Sequence, residues 1–256
     1  MSDCGITKLQ QPTENSPQVN IPSQEESSPG AKDAACIVRG AGDAAPAQNT
    51  TPQGYVFFDT ETTGIINERF PPAHHIQPRI VQLAAIVTDC AFRQQAQLCV
   101  LVRPQGYEIP AGASRVHGIT TQQALNYGVP ASIALAMFNN LCRMGGTLVA
   151  HNMRFDHFVV KGEYQRLGKP FAGEQTLKLC TMELSKNVVC LPPTDKMICA
   201  GVQGYKSPKL EEAYRFFSGK QLAGAHNALQ DVKACIYVYR SLAERGLLPS
   251  SAFTTA

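Results

Sequence analysis

Runs of apolar residues break this chain into strands and helices from about residue 54 onward. Tyr55-Val56-Phe57-Phe58 is a short continuous apolar run followed by Thr and Gly punctuation, the pattern of a buried strand. Residues 80–87 read as a second, largely buried strand, and 97–103 as a third that Pro104 ends. Three strands in succession predict a meander. The link at 65–78 carries Pro71, Pro72 and Pro78 and is predicted to be a surface loop. Helical spacing then takes over. Residues 132–143 place apolar side chains at 133, 135, 137, 138 and 141, and Gly145-Gly146 stops the pattern. A short strand at 147–150 leads into a helix at 155–167 that Gly168 ends. A fifth strand is expected near 177–181 and a helix at 208–217, with Pro in its first turn. The last helix, 227–245, carries Leu229, Val232, Ile236, Tyr239 and Ala243 as a core-facing stripe. The order predicts an α/β fold, a mixed five-stranded sheet with helices packed on it.

Composition changes the picture at the ends. Residues 1–52 are rich in Pro, Ser, Gln, Ala and Gly and sustain no apolar period, so a disordered tail or linker is expected there. A folded domain is expected at 53–246 and a short tail at 247–256. Hydrophobic content of 44% and charged content of 17% fit a globular class. The net charge of +3 is unevenly spread, because residues 1–50 carry −3 and the remainder +6. The positive remainder is compatible with a polyanionic substrate. No run of eighteen apolar residues appears, so no membrane contact is expected. The start has neither the basic and apolar stretches of a signal peptide nor the Arg-rich character of a transit sequence. The nine cysteines include no Cys-x-x-Cys, and several lie inside apolar runs. They read as small buried hydrophobes in a reducing, cytoplasmic compartment, with the nucleus also open. Cys190 and Cys199 flank a loop and read either as a surface pair or as unrelated thiols.

Four patches carry chemistry. Asp59 and Glu61 stand two apart on a strand, so their side chains start on one face. Such a pair is either a solvated strand end or a site for a hard divalent cation, which removes both repulsion and desolvation. Asp156 begins a helix, where a carboxylate is favoured in any case. Asn152, four residues earlier, reads as a positioning hydrogen-bonder or a loop cap. Asp231 lies in the first turn of the last helix beside its apolar stripe, and therefore points toward the sheet. His226, five residues before it on a solvent-reachable, mobile loop, is a loop residue or a general base with a pKa near working pH.

Asp59-x-Glu61, the His151-Asn152 and Phe155-Asp156 segment, and His226-x-x-x-x-Asp231 resemble the three exonuclease motifs of the DEDDh group of DnaQ-like 3′–5′ exonucleases. Val116-His117-Gly118-Ile119-Thr120 is similar to a further segment common in that group, and the resemblance spans roughly 54–245. It implies a ribonuclease H-like fold and hydrolysis of phosphodiester bonds at nucleic-acid 3′ ends, releasing nucleoside monophosphates. It implies two divalent metal ions, Mg2+ or Mn2+. Asp59 would bridge them, Glu61 and Asp231 would hold the ion serving the attacking water, and Asp156 would support the other. His226 would take the proton. Thr62 and Thr63 would meet the 3′-terminal nucleotide through backbone groups, and Ile65 and Phe155 would pack on its base and sugar. The loop at 65–78 is longer than in many members, and a segment at 187–205 is extra; each reads as a gate on substrate or as a tolerated insertion.

The expected substrate is single-stranded or frayed DNA, with RNA open. A proofreading role would need a polymerase or repair partner, which the tail at 1–52 could recruit. The alternative class is a non-catalytic nucleic-acid-binding or scaffold module on the same fold.

Overall fold

The computed structural model describes residues 54–248; the tail expected at 1–52 and most of the one expected at 247–256 lie outside the described residues. The strands are β1 (Tyr55–Thr62), β2 (Ile80–Thr88), β3 (Gln94–Leu101), β4 (Thr147–Ala150) and β5 (Leu177–Cys180). They form one mixed sheet in the order β3-β2-β1-β4-β5. β1, β2 and β3 pair antiparallel, as the meander predicts, while β4 runs parallel to β1 and to β5.

Alternation along β1 builds two cores. Val56 and Phe58 face α3 (Ala131–Met144) and α4 (Met153–Arg166), where they pack with Leu135, Phe138, Val159 and Val160. Tyr55 and Phe57 face α7 (Leu210–Ser218) and α8 (Ala228–Glu244), where they pack with Ala213, Val232, Val238, Tyr239 and Leu242. The Tyr239 ring meets Tyr55 and Phe57 edge-on, with centroids 5.1 and 5.5 Å apart.

Several boundaries differ from the sequence reading. β1 continues past Phe58 to Thr62, so the Asp59/Glu61 pair sits inside a strand rather than at its end. β3 begins and ends earlier than 97–103. α4 begins at Met153, which puts Asp156 within its first turn. Pro208 lies outside α7, whose first residue is Leu210. Four short helices were not expected: α1 (Ala111–His117), α2 (Thr121–Tyr127), α5 (Thr181–Val189) and α6 (Asp195–Cys199). The end of α5 and all of α6 fall within the segment that reads as an insertion at 187–205. The first two are too short to show a full apolar period, although Thr120 and Gln123 form a capping box that announces α2. Cys190 and Cys199 are exposed free thiols, which removes the surface-pair reading. Among the described residues no helix is long and apolar enough to cross a membrane.

Candidate active site

β1 outruns its parallel neighbour, and the site lies where it does. β4 pairs with β1 only through Tyr55, Val56 and Phe57, then ends at Ala150. Beyond Phe58, β1 keeps its pairing to β2 but has no strand on the β4 side. The open edge is met by the start of α4. Asp156 Oδ1 accepts the Thr60 backbone N–H at 3.0 Å and the Thr60 hydroxyl at 2.8 Å. A carboxylate thus takes the place of the missing strand, and it is held at the carboxyl ends of two parallel strands, where open α/β sheets place their ligands.

Strand parity sorts the remaining groups. Thr60 and Thr62 share the α4 face with Val56 and Phe58. Asp59 and Glu61 share the α8 face with Tyr55 and Phe57. Asp231, in the first turn of α8, therefore faces the β1 pair. Glu61 and Asp231 are each 8% exposed and Asp156 is 3% exposed, so these carboxylates converge away from bulk water.

The electrostatics follow from that convergence. Burial pushes the Asp59 carboxyl well above the carboxylate range, and the charges of Asp156, Asp231 and Glu61 push it further. Burial and then Asp231 raise Glu61 to about 7. Burial raises Asp156 to about 7 against the two hydrogen bonds from Thr60. Asp231 rises to about 6 through burial, opposed by the backbone N–H and the charge of His226. Four carboxyl groups that resist ionisation together would be stabilised by a cation among them. Glu61, His226 and Asp231 each offer a ligand atom, all within 4.8 Å of one another. An acidic, oxygen-rich set of this kind fits a hard divalent cation.

His226 is exposed, and its backbone is tied to Asp231. Its N–H donates to Asp231 Oδ2 at 3.0 Å, and its φ of +65° lies in the left-handed region. A histidine held there stores about 1–3 kcal/mol of strain. The solvent-reachable histidine expected from the sequence is found exposed, and the Asp231 carboxylate accepts its main-chain N–H beside the acidic cluster.

The chain matches the family described as Exonuclease (RNase_T) over residues 56–239, well over half of its length. The chain belongs to the exonuclease family. Its DnaQ-like character is supported by two curated relatives. It is 34% identical over 115 residues to DNA polymerase III subunit epsilon of Buchnera aphidicola, covering 44% of this chain and 46% of that one. It is 36% identical over 118 residues to a DNA polymerase III subunit epsilon-like protein of Rhodobacter capsulatus, covering 46% of this chain and 15% of that one. The match thus spans less than half of either relative. Among solved structures, E. coli exonuclease I in complex with a dT13 oligonucleotide superposes with a TM-score of 0.61 at 24% identity. That similarity covers 75% of this chain and 41% of exonuclease I and establishes the shared ribonuclease H-like fold. The apo form of exonuclease I gives the same TM-score at 22% identity.

The other residues that this exonuclease-family sequence singled out are placed as follows. Thr62 is buried and its hydroxyl donates to the Gly64 carbonyl at 2.7 Å, which shapes the turn after β1. Thr63 is clamped from both sides, its N–H donating to the Arg79 carbonyl and its Oγ1 accepting the Arg79 N–H, each at 2.9 Å. Ile65 is 87% exposed just beyond that turn, so its apolar side chain is free to meet a ligand. Phe155 is half-buried against the α4-side core. Asn152 caps α4 with a left-handed φ of +69°, but its exposed side chain makes no cap hydrogen bond, so the loop-cap reading fails in that form.

Sequence reasoning missed two supporting groups, Thr60 and Gln82, and gave His117 no role beyond its place in the family-like segment. Thr60 is the unread middle residue of Asp-x-Glu, and nothing in the pattern marks it. Gln82 is a polar residue inside an apolar strand, a signal that was available. Its Oε1 accepts the buried Ala228 N–H at 3.0 Å and so fixes the start of α8, three residues from Asp231. His117 lies near Thr62 and His226. Burial holds its ring below the usual histidine range, and the charge of His226 lowers it further.

Proposed function

We propose that this protein is a metal-dependent 3′–5′ exonuclease. It hydrolyses phosphodiester bonds at the 3′ end of single-stranded or frayed DNA, with RNA as a second substrate, and releases nucleoside monophosphates. The observation that carries this reading is the convergence of Asp59, Glu61, Asp156 and Asp231, brought from β1, α4 and α8, with His226 at their edge. A purely structural cluster of buried acids with raised pKa values would be unfavourable.

Asp59, Glu61, Asp156 and Asp231 would hold two Mg2+ or Mn2+ ions. When bound, these ions supply charge neutralisation at the phosphodiester and a lowered pKa for water. The remaining chemistry belongs to the chain. Thr60 holds Asp156 in one orientation through two hydrogen bonds. The His226 ring at the cleft edge accepts the proton of the attacking water as general base. The clamped turn at Thr62 and Thr63 presents backbone groups to the terminal nucleotide. Ile65 and Phe155 supply apolar contact that tolerates any base. The names of the curated relatives favour a polymerase partner, for which the segment at 1–52 is the proposed recruiting element. The exposed thiols of Cys190 and Cys199 fit the reducing, cytoplasmic compartment proposed from the sequence.

The test is product analysis on a single-stranded oligodeoxynucleotide in manganese and in chelator. Nucleoside 5′-monophosphates should accumulate only with metal, and His226→Ala should lower the rate by about 10²–10⁴-fold. A His226→Ala variant that keeps full rate would remove the general-base assignment. Oligonucleotide binding without hydrolysis would favour the non-catalytic binding module.

A further inference from the structure

The loop that leaves the Thr62-Thr63-Gly64 turn is an ordered structure. The paired Thr63–Arg79 hydrogen bonds close its neck. Gln77, 3% exposed, fills its centre. The Gln77 amide donates to the carbonyls of Asn67 and Phe70 at 2.7 and 2.8 Å, and its Oε1 accepts the Asn67 N–H at 2.9 Å. The loop lies along α4. Glu68 pairs with Arg154 at 2.7 Å near the helix start, and Arg166 donates to the carbonyls of Pro72 and His74 at 3.2 Å near its end. Gly162 is required between them, because a Cβ there would lie 2.4 Å from the Pro72 carbonyl oxygen.

This scaffold holds three rings in a row on the surface. The Phe70 and His74 centroids are 4.4 Å apart, and those of His74 and His75 are 4.3 Å apart, with interplanar angles of 33° and 32°. Phe70 is 38% exposed, His75 is exposed, and Ile76 beside them is 44% exposed. None of the three rings belongs to a core cluster of the described residues. His74, the middle ring, is part-buried between the other two, so Phe70 and His75 are the exposed ends of a stack on a rigid support. It starts at the turn that meets the terminal nucleotide. The loop's one acid, Glu68, is neutralised by Arg154, and Arg69 adds positive charge. From Arg154 to Arg166 the helix rises ~18 Å, long enough to run beside several nucleotides of an unpaired strand.

We propose that Phe70 and His75, the two ends of a ring stack with His74 between them, form a stacking platform for unpaired bases several nucleotides upstream of the 3′ end. It extends the substrate site along α4 and would make the protein prefer long single strands over short ones. This inference rests on the reading of the cleft as a nucleic-acid 3′-end site. Base–aromatic stacking is indifferent to sequence, so the platform would grip any unpaired strand.

The test is fluorescence anisotropy in chelator with 5′-labelled dT12 and dT3, on the full chain and its variants. Phe70→Ala should weaken dT12 binding about tenfold, His75→Ala about threefold, and dT3 binding should change less than about twofold. Phe70→Tyr should restore dT12 binding, and thermal melting checks that each variant is folded. Equal weakening toward both lengths, no change toward dT12, or no dT12 binding by the unaltered protein would overturn the proposal. Manganese added to the same samples tests the chemistry separately. Ring-dependent binding without mononucleotide release would keep the platform and remove the hydrolytic reading.

Discussion

At the scale of single residues, the site is held by groups that do no chemistry themselves. Thr60 gives Asp156 two hydrogen bonds from one residue. Thr60→Val keeps the shape and the backbone bond but loses the hydroxyl. Hydrogen bonds to a charged group are worth about 1.5–3 kcal/mol, so kcat should fall ten- to a hundredfold with little change in KM. Steady-state rates on a labelled oligonucleotide check this. His151 offers a prediction about pH. Its Nδ1 meets the Thr181 hydroxyl and its Nε2 the Pro208 carbonyl, both at 2.9 Å, and burial pushes its pKa down to about 4. Unfolded, the ring takes up a proton near pH 6.5; folded, it stays neutral. Its contribution is therefore intact above about pH 6.5 and is lost at about 1.4 kcal/mol per pH unit as pH falls toward 4. Urea midpoints at pH 7.5 and 5 should show a smaller acid loss for His151→Gln than for the unaltered protein; parallel curves would contradict the assignment. The acids and His226 were legible in the sequence because their motifs have fixed spacing. Thr60 was not, because its role exists only where β4 stops short of β1.

At the scale of elements, the strands and long helices could be read because their apolar periods are sustained. The short helices α1, α2 and α6 could not, since seven, seven and five residues hold too few turns to show a stripe, and α5 was masked by the strand expected just before it at 177–181. The loop at 65–78 read as a surface insertion, and what makes it rigid was invisible. Gln77, Arg79 and Arg166 reach partners that only the fold brings near. Gly162 supplies a test of this rigidity. Glycine inside a helix normally gives way to alanine with a gain of about 0.5–1 kcal/mol. Here the added methyl would press on the Pro72 carbonyl, so Gly162→Ala should instead destabilise by about 1–3 kcal/mol. Urea unfolding measures the sign, and faster proteolysis within 65–78 would show the loop lifted from α4. A stabilised Gly162→Ala protein would mean that the loop does not rest on the helix.

At the scale of the whole molecule, β1 supplies both the centre of the two cores and the centre of the site, so stability and charge are linked through it. Without metal, Asp59 is held against three other carboxyl groups. Asp59→Asn should therefore melt higher than the unaltered protein in chelator. Manganese at a hundredfold over its Kd should add about 2.7 kcal/mol to the unaltered protein and less to Asp59→Asn. Equal melting curves in both conditions would mean that the cluster holds no metal. The measurement that bears most directly on function follows 5′-labelled single-stranded DNA and its RNA counterpart with time in magnesium, manganese and chelator, with Asp59→Ala alongside. The account predicts a ladder shortening from the 3′ end, present only with metal and abolished in Asp59→Ala. A folded, metal-loaded protein that leaves both polymers intact, or an Asp59→Ala variant that still produces the ladder, would contradict it.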